Sequence, residues 1–522
     1  MLVVLVFFVT FFLLVCVMLR RNALKDRAHF ENQDLLYLGN RNYSLLYETL
    51  MGITIEATQE RWYTQMVTKG QKIAGSKEFG TNVININDPE LIKHITIKDF
   101  DHFIDRREFE MPKEEILFGK MLFSLKGQTW RNFRTTISPA FTSSKVKRLY
   151  PLFMKSGHSM IKYLTAFSGQ EINFTNVIPK FTIDVISTAV CGIESNSFEL
   201  DEPSMVEQMS RRMELAFGGV QVLKLLLVMC FPAVGNLFKM SFFDKEAEHF
   251  FMHAITQTIR AREANPGGKQ DDFVQLMLEG RKGLDKKKED GEENGGGSKS
   301  VVFLDDVHIV ANCVLFILAG HATTHIGIVF ALYALATHPE IQDRLRREIE
   351  DGLKKEGVKT DEGEFLSYDG LHALKYMDMV INETLRLYPP TTAFDRGCCK
   401  AYTIPGTNFT LRKGQGVLFP VFSLHRDPRF WPNPLKFDPE RFSEENKHTI
   451  NPYAYIPFGA GNRQCIGMRF ASSEVKLGVA MLVYHFNLEP SANTTIPMKF
   501  ANANTLKPKY GMKIKISRIP RS

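Results

Sequence analysis

Cysteine is scarce in this chain, and its few cysteines do not form the patterns of a structural site. Seven of the 522 residues are cysteines, and they are scattered along the sequence without a C-x-x-C pair. This number is too small for a disulfide scaffold, and the missing pair disfavours a structural zinc site. Tryptophan is rarer still, with three residues, whereas 41 phenylalanines predict a large aromatic-lined interior.

A strong excess of one charge sign and an internal repeat are also absent. The net charge of +7 comes from 65 basic and 58 acidic residues, which is mild for this length, so we expect no nucleic-acid partner. A hydrophobic share of 44% with 24% charged residues excludes a disordered chain, a collagen-like chain and a polytopic membrane protein. The one low-complexity stretch, residues 281–300, mixes charges with glycine and predicts a flexible, solvated loop.

The N-terminus carries a long apolar run. Residues 1–19 are almost wholly apolar, and a basic flank follows at once. At 1.5 Å per residue this run reaches about 28 Å, close to the ~30 Å hydrocarbon core of a bilayer. A cleaved signal peptide is the alternative, but neither a charged n-region nor an A-x-A site is present. Because basic flanks stay in the cytosol, we predict a transmembrane signal-anchor at 1–21, a linker at 22–45 and a cytosolic domain at 46–522, with reduced thiols and unglycosylated sequons.

Two further apolar stretches were weighed as membrane spans. Residues 307–336 are long enough, but polar and histidine side chains interrupt them, so a buried core helix is the better interpretation. Residues 218–238 are broken by Lys224 and Pro232. They are more typical of a surface element that dips into the membrane interface. Membrane lipid is therefore an expected partner.

Helical periodicity dominates the rest of the chain, and strand-like segments are short. The sequence thus predicts a mainly α fold with small β-sheets, in one large domain behind the anchor. Helices are predicted at 145–167, 206–217, 242–263, 271–279, 304–337, 339–353 and 371–387, and strands at 81–86, 402–404, 416–422 and 513–516.

The sharpest signal is a glycine-rich turn around one cysteine, F-G-A-G-N-R-Q-C-I-G, from Phe458 to Gly467. No second cysteine lies nearby for metal or redox pairing, and no His/Asp partner motif marks Cys465 as a nucleophile. Glycines let the backbone bend tightly around the sulfur and leave amides free to hydrogen-bond it. A protein tunes the thiolate ligand of a single iron in this way. The alternative is a buried, inert cysteine in a turn.

This run resembles F-G-x-G-x-R-x-C-x-G, the haem-binding loop of the cytochrome P-450 superfamily. The resemblance implies the P-450 fold and a haem b whose iron takes the Cys465 thiolate as its axial ligand. It also implies that Phe458 and Gly459 lie against the haem and that Arg463 meets a haem propionate.

Two further motifs follow in the family's order. Glu383 and Arg386 resemble the family's E-x-x-R helix, and Arg441 resembles the arginine of its P-E-R-F motif. The resemblance implies that these three residues form a buried charge network, with a structural role beneath the Cys465 loop.

Four more residues resemble the family's haem contacts. Trp130 and Arg134 match a W-x-x-x-R helix that reaches a propionate. By the same resemblance Arg106 and Arg396 are further propionate partners, although each is also an ordinary basic residue.

A patch of small residues, A-G-H-A-T-T at 319–324, lies in the long apolar helix. Such a patch lets a flat ligand or O₂ approach the backbone, and a threonine hydroxyl there can bond its i−4 carbonyl or a proton-delivering water chain. The patch resembles the family's A/G-G-x-D/E-T-T segment, which makes Thr323 the oxygen-activation threonine beside Gly320. The sequence departs from the pattern at Ala322, because the proton-relay acid is missing there. His321 or a water substitutes for it, or His321 is simply a satisfied core histidine.

We therefore expect a haem-thiolate monooxygenase that inserts one oxygen atom from O₂ into an apolar small molecule, such as a xenobiotic, steroid or lipid. Segments beyond the motifs resemble the animal microsomal branch with drug-oxidising and thromboxane-synthase-like enzymes, which implies an endoplasmic reticulum membrane location. Electrons are expected from NADPH through the NADPH–cytochrome P-450 reductase, with a b-type cytochrome as a second donor, because the chain shows no convincing nucleotide motif. The expected docking face is basic and lies on the Cys465 side.

Two alternatives stay open. A haem-thiolate isomerase or dehydratase acts on a peroxide without a reductase. The missing acid at Ala322 favours it, whereas Thr323 and Gly320 disfavour it. A non-catalytic haem- or ligand-binding protein is the alternative from another class. By analogy, substrate contacts come from residues 108–123, 213–224 and 391–394.

Overall fold

A computed structural model describes residues 25, 27–39, 53–78, 81–108, 115–199, 202–215, 241, 243–265, 272–289, 304–359, 364–503 and 505–520. The predicted anchor at 1–21 and the predicted interfacial stretch at 218–238 lie outside these residues. Within them the chain is mainly helical, with short strands, as expected. The helices are α1 (Ile55–Thr68), α2 (Pro89–Lys93), α3 (Ile116–Lys120), α4 (Gly127–Ile137), α5 (Ser143–Thr165), α6 (Phe174–Cys191), α7 (Met205–Leu215), α8 (Lys245–Ala264), α9 (Phe273–Glu289), α10 (Asp306–Thr337), α11 (Pro339–Glu356), α12 (Tyr368–Ala373), α13 (Lys375–Leu387), α14 (Val421–Leu424) and α15 (Met468–His485).

Helix α10 is the centre of the helical core. It begins after Asp305, whose carboxylate accepts a hydrogen bond from the His308 amide at 2.8 Å, and it ends where Pro339 opens α11. Helices α6, α13 and α15 pack around it, and most of its side chains are buried. Among the helices described, α10 is long and apolar enough to cross a membrane, but most of its apolar part is buried in the domain. The prediction of a core helix at 307–336 is confirmed.

Three small sheets border the helical core. The strands are β1 (Ile73–Glu78), β2 (Thr81–Ile86), β3 (Glu171–Asn173), β4 (Phe394–Gly397), β5 (Tyr402–Thr403), β6 (Thr410–Leu411), β7 (Gly416–Phe419), β8 (Phe486–Pro490) and β9 (Lys513–Arg518). The four-stranded sheet has the order β1-β2-β7-β4, in which β2 and β7 are parallel and the other pairs antiparallel. The second sheet has the order β3-β9-β8, and β5 pairs with β6. Because Arg396 lies on β4, the larger sheet positions one of the predicted haem contacts.

Several predicted elements differ from the structure at their ends. The helix predicted at 371–387 is two helices, because Leu374 has an extended backbone between α12 and α13. The strand predicted at 416–422 ends at Phe419, because Pro420 follows and the chain then turns into α14. The loop predicted from residue 281 is still helical up to the end of α9, since its lysines and glutamate are good helix formers.

Part of the predicted linker at 22–45 lies among the described residues. Of residues 22–45, the described part at 27–39 packs on β1, where Tyr37 bridges to Gly75. Phe30 is fully buried there, and an added Cβ on Gly75 would lie 2.1 Å from its ring. This part of the chain is therefore attached to the domain, because its apolar side chains complete the outer face of the sheet.

Candidate active site

The Cys465 loop leads directly into helix α15. Gly459 and Gly461 have φ angles of +75° and +69°, where other residues are rarely found. An added Cβ on Gly461 would lie 1.9 Å from the Thr96 carbonyl oxygen, so only glycine fits. The Cys465 amide donates to the Phe458 carbonyl at 2.8 Å and closes the loop. The cysteine thus lies just ahead of a helix N-terminus, where the helix dipole favours a thiolate.

Cys465 has an accessible side chain although protein surrounds it, because it faces an interior cavity. Burial raises the pKa of the thiol, while the Gly467 amide and then Arg134 and Arg106 act to lower it. Because the raised pKa leaves little free thiolate at neutral pH, Cys465 is a poor nucleophile. Iron coordination would displace the proton, so this environment suits a metal ligand better.

The cavity has a volume of about 500 Å³, and its lining is mainly apolar. Helix α10 lines it through Thr323 and Gly320, and the Cys465 loop lines another part. The predicted haem contacts that also line it are Arg106, Trp130, Arg134, Arg396, Phe458, Gly459 and Arg463. The structure therefore brings residues from distant parts of the chain around one space.

Arg463 connects the Cys465 loop to the neighbouring cavity wall. Its three nitrogens donate to the backbone carbonyls of Ile104, Phe123 (3.4 Å) and Leu125 (2.6 Å). The guanidinium also lies 4.3 Å from the centre of the Trp130 ring. Since a guanidinium has five N–H donors, donors remain for an anion in the cavity.

Arg396 is buried beside other positive charges. It is 1% exposed, and it donates to the backbone carbonyls of Ala460 at 3.0 Å and Asp395 at 2.7 Å. Its Nε has no hydrogen-bond partner in the part of the chain that the structure describes. Burial, followed by the charges of Arg106 and Arg463, lowers the pKa of Arg396 well below its ordinary value. Burial and Arg106 also lower the pKa of Arg463 to about 9. A buried group of mutually repelling cations favours a bound anion.

The charge balance of this arginine cluster indicates which anion fits. The cluster contains the guanidiniums of Arg106, Arg107, Arg134, Arg396 and Arg463 and the carboxylates of Glu78, Asp105 and Asp395. Arg107 pairs with Glu78 at 2.8 Å and with Asp395 at 3.1 Å, so those charges are largely matched. Five guanidiniums against three carboxylates leave two positive charges. A haem b carries two propionates on one edge, so the residues present fit a haem with its propionates in this cluster.

Only some residues of the small-residue patch at 319–324 of α10 line the cavity. Thr323 lines the cavity and donates to the Ala319 carbonyl at 2.8 Å, which leaves its lone pairs available to a water. Ala322 is not among the cavity-lining residues. His321 is 3% exposed and lies in hydrogen-bond contact with Thr182 of α6 at 2.8 Å. Of the two interpretations of His321, the structure supports the satisfied core histidine.

Gly320 has a reason for its small size that the sequence analysis missed. An added Cβ would lie 2.8 Å from the Cδ1 atom of Ile186 on α6, although Gly320 also lines the cavity. The close packing of α6 on α10 therefore favours glycine here, because an added Cβ would have to displace the end of the Ile186 side chain. The expected approach of a flat ligand to the helix backbone is not its only role.

Glu383, Arg386 and Arg441 lie in direct contact beneath the site. Arg386 donates to both oxygens of Glu383, at 2.7 and 2.8 Å, and Arg441 approaches Glu383 at 3.4 Å. Arg386 also donates to the His425 carbonyl at 2.7 Å, and the His425 ring accepts the Ile456 amide at 2.9 Å. Because Ile456 precedes the Cys465 loop, these contacts transmit the position of the charged pair to that loop.

The family model described as Cytochrome P450 matches residues 46–516. The chain belongs to the cytochrome P450 family. Cytochrome P450 9e2 of Blattella germanica is 36% identical over 449 residues, covering 83% of this chain and 82% of that protein. Cytochrome P450 3A41 of Mus musculus is 34% identical over 439 residues, covering 84% and 82%. Lithocholate 6-beta-hydroxylase of Mesocricetus auratus is 34% identical over 449 residues, covering 85% and 84%.

The resemblance stated from the motifs is thus confirmed at the level of the family. The chain is an enzyme of the cytochrome P450 monooxygenase family. Family membership implies a haem-thiolate cofactor.

His425 is a supporting residue of this P450 to which the sequence analysis gave no role. It is fully buried, and burial followed by the charge of Arg386 lowers its pKa to about 3, so the imidazole is neutral. Its Nδ1 lies 3.2 Å from the Arg386 carbonyl and therefore carries the proton, which leaves Nε2 to accept from Ile456. The L-H-R-D-P run at 424–428 is visible in the sequence, but it does not indicate which backbone groups the ring would bond.

Proposed function

We propose that this P450 inserts one atom of O₂ into an apolar small molecule, with electrons delivered from NADPH by a separate reductase. The observation that carries the proposal is the Cys465 thiol on the wall of a mainly apolar cavity that Thr323 also lines. Haem b, when bound, supplies the oxygen and electron chemistry that no side chain of the cavity can supply. The charge balance of the arginine cluster supports its fit.

Each group of site residues then has a distinct task. The Cys465 loop and the N-terminus of α15 would supply the thiolate ligand of the iron, and the arginine cluster would bind the propionates. Glu383, Arg386 and Arg441 support the loop from below. The apolar cavity lining excludes water and favours a substrate of the xenobiotic, steroid or lipid class. The relative named for hydroxylating lithocholate supports a steroid-sized molecule.

The assignment of Cys465 is tested by its conversion to serine. A hydroxyl is a poor iron ligand, so Cys465→Ser should abolish the red-shifted absorption band that thiolate ligation gives to reduced, carbonyl-bound haem. Cys398→Ser is the matched control, because Cys398 does not line the cavity and its thiol donates to the Lys400 carbonyl, a bond that a serine hydroxyl can also make. If the Cys465→Ser protein keeps the band, another residue ligates the iron and the proposal fails.

Thr323 is proposed to hold a water that carries protons to the cavity. Its own proton is engaged with Ala319, so it presents an acceptor to that water. The methyl group of Ala322 cannot relay a proton, and His321 is directed at α6. General acid assistance is worth roughly 10²–10⁴-fold, so delivery by water alone should leave turnover measurable but poorly coupled.

Coupling of NADPH oxidation to product therefore tests this part of the proposal. Ala322→Glu should raise the ratio of product formed to NADPH consumed, because it restores the family's acid at a half-buried position. Thr323→Ala should lower the ratio and release more peroxide. The missing acid also favours the isomerase alternative. That alternative replaces the proposal if neither substitution changes coupling while an organic hydroperoxide is rearranged without reductase.

We also propose that the reductase docks on the Cys465 side. A surface concavity of about 630 Å³ lies behind the Cys465 loop, and Gln464, Arg469, His372 and Lys476 line part of it. Arg469 is exposed, which supports the docking of an acidic flavoprotein surface. A cytosolic domain on the endoplasmic reticulum membrane agrees with this, and it rests on the anchor predicted at 1–21.

A further inference from the structure

Residues 120–125, here called the wall segment, form one side of the cavity. Leu122 and Phe123 line the cavity. On one side Arg463 of the Cys465 loop donates to the carbonyls of Phe123 and Leu125, at 3.4 and 2.6 Å. The wall segment follows α3, a helix of five residues. Such a short helix is not stable by itself, so the position of this wall depends on contacts to other elements.

Asn312 of α10 supplies the contact on the other side. Its Oδ1 accepts the Leu122 amide at 2.7 Å, and its Nδ2 donates to the Lys120 carbonyl at 3.1 Å and to the His308 carbonyl at 2.8 Å. The side chain is 0% exposed. A carboxamide has one oxygen acceptor and two N–H donors, and all three are engaged here. A buried amide bonded in this way permits a single position of the wall segment, because any shift leaves polar groups unpaired.

The other tether between the wall segment and α10 is weaker. Lys120 pairs with Asp305 at 3.2 Å, but both side chains are about a third or more exposed, so the pair is screened by solvent. The Phe123 ring lies 4.4 Å from the Arg106 guanidinium. A change at Asn312 therefore reaches both the apolar wall and the arginine cluster.

We propose that Asn312 is a positioning residue that fixes Leu122 and Phe123 and so determines which apolar molecules fit the cavity. The inference rests on the proposed function, because it takes this cavity as the place where substrate binds next to the haem. Asn312 has no part in the proposed iron ligation or proton delivery. It interrupts the apolar run of α10 where an aliphatic residue would otherwise suit the core.

The test compares Asn312→Leu with Asn312→Asp in the full-length haem protein, with Thr337→Val as the control. Leucine has the shape of asparagine without its polar groups. Aspartate retains the oxygen that accepts the Leu122 amide. In its protonated form it also retains one donor for a backbone carbonyl. Thr337 lies at the far end of α10, and its hydroxyl bonds the Tyr333 carbonyl of the same helix. Asn312→Ser, which is too short to reach both backbone groups, replaces the leucine variant if that protein does not bind haem.

Two readouts are measured besides activity. Hydrogen exchange measures the exchange rate of the Leu122 amide. Titrations followed by the haem absorption spectrum give dissociation constants for imidazole and for the bulkier N-tritylimidazole. Asn312→Leu should speed exchange of the Leu122 amide at least tenfold. It should change the ratio of the two dissociation constants by roughly 10-fold or more, the scale of a one-methylene change in an apolar pocket. Asn312→Asp should restore protection of the Leu122 amide, and Thr337→Val should change neither.

Unchanged exchange of the Leu122 amide in Asn312→Leu would overturn the inference. So would equal changes in both dissociation constants, because a merely structural role weakens all ligands alike. The carbonyl-bound absorption band is recorded for every variant. If the wild-type protein lacks the thiolate band, the proposed function fails. If the band is normal and selectivity is unchanged, only the role of Asn312 fails.

Discussion

Glu474 and Glu383 are two equally buried glutamates. Substitution by glutamine should have opposite effects on the stability of the folded protein at pH 7. Glu474, on α15, is 0% exposed, and neither of its oxygens has a hydrogen-bond partner among the described residues. Burial raises its pKa well above the ordinary value. Glu383, on α13, is also 0% exposed but bonds Arg386 and Arg441. The first carboxyl is therefore held in its neutral form, whereas the second is an ion-pair partner.

The pH dependence of stability follows from the proton on the Glu474 carboxyl. The unfolded chain loses the Glu474 proton above about pH 4.3, while the folded protein keeps it. The contribution of Glu474 to the free energy of unfolding is thus fully present below that pH. It falls by about 1.4 kcal/mol per pH unit as the pH rises, until the folded-state pKa of Glu474 is reached. Between pH 5 and 7 the wild type should therefore lose stability through this group, and Glu474→Gln should lose none of it.

Glutamine at position 383 has the opposite consequence. The Glu383→Gln protein keeps the shape of the side chain but leaves the Arg386 guanidinium buried beside a neutral partner. Removing one member of a buried ion pair costs about 3–5 kcal/mol, so this variant should be destabilised at pH 7.

Urea unfolding of the full-length haem protein in detergent, at pH 5, 6 and 7, measures both effects through the denaturation midpoint. Tryptophan fluorescence and haem absorbance should report the same order of stability. Parallel pH profiles for wild type and Glu474→Gln would refute the reasoning, because the carboxyl would then have a partner or be ionised. A Glu474→Gln protein less stable than wild type at pH 7 would refute it equally.

Two further predictions concern the Cys465 loop and the anchor. Gly461→Ala should destabilise the protein and reduce haem content, because the new Cβ meets the Thr96 carbonyl. Gly459→Ala should cost about 1–2 kcal/mol for a left-handed backbone without a clash against the protein, since the nearest protein atom is 3.9 Å away. Deletion of residues 1–19 should weaken membrane attachment in cell fractionation and leave the carbonyl-bound spectrum unchanged. Glycosidase-sensitive mass on the full-length protein would contradict the cytosolic orientation.

The chemistry of the site could be predicted from the sequence because it lies in short contiguous motifs. The Cys465 loop, Glu383 with Arg386, and Trp130 with Arg134 each fit within one turn or one helix, so the resemblance to the family's motifs could indicate which side chains cooperate. The structure brings them around one cavity or beneath it. The absence of the acid at Ala322 was visible for the same reason.

Helices that contain breakers and β-branched residues were harder to predict. Helix α6 was not predicted, because Pro179 lies inside it and valine, isoleucine and threonine make up much of its sequence. The hydrogen bonds of His425 and of Asn312, and the close packing of Gly320 against α6, join residues far apart in sequence. Spacing along the chain carries no information about such contacts, and only the folded arrangement reveals them.

The contacts of α10 with its neighbours do not involve the residue at position 322. Asn312 bonds the wall segment and His321 meets Thr182, while His308 meets Asp305 at the start of the helix. Asn312 and His321 therefore hold α10 against the elements around it, whether or not an acid stands at position 322. Ala322 lies off the cavity lining and supports none of these contacts. A chain that lacks the acid keeps its scaffold and loses only a proton path. We therefore expect the coupling of NADPH oxidation to product, not stability, to distinguish this P450 from family members that carry the acid.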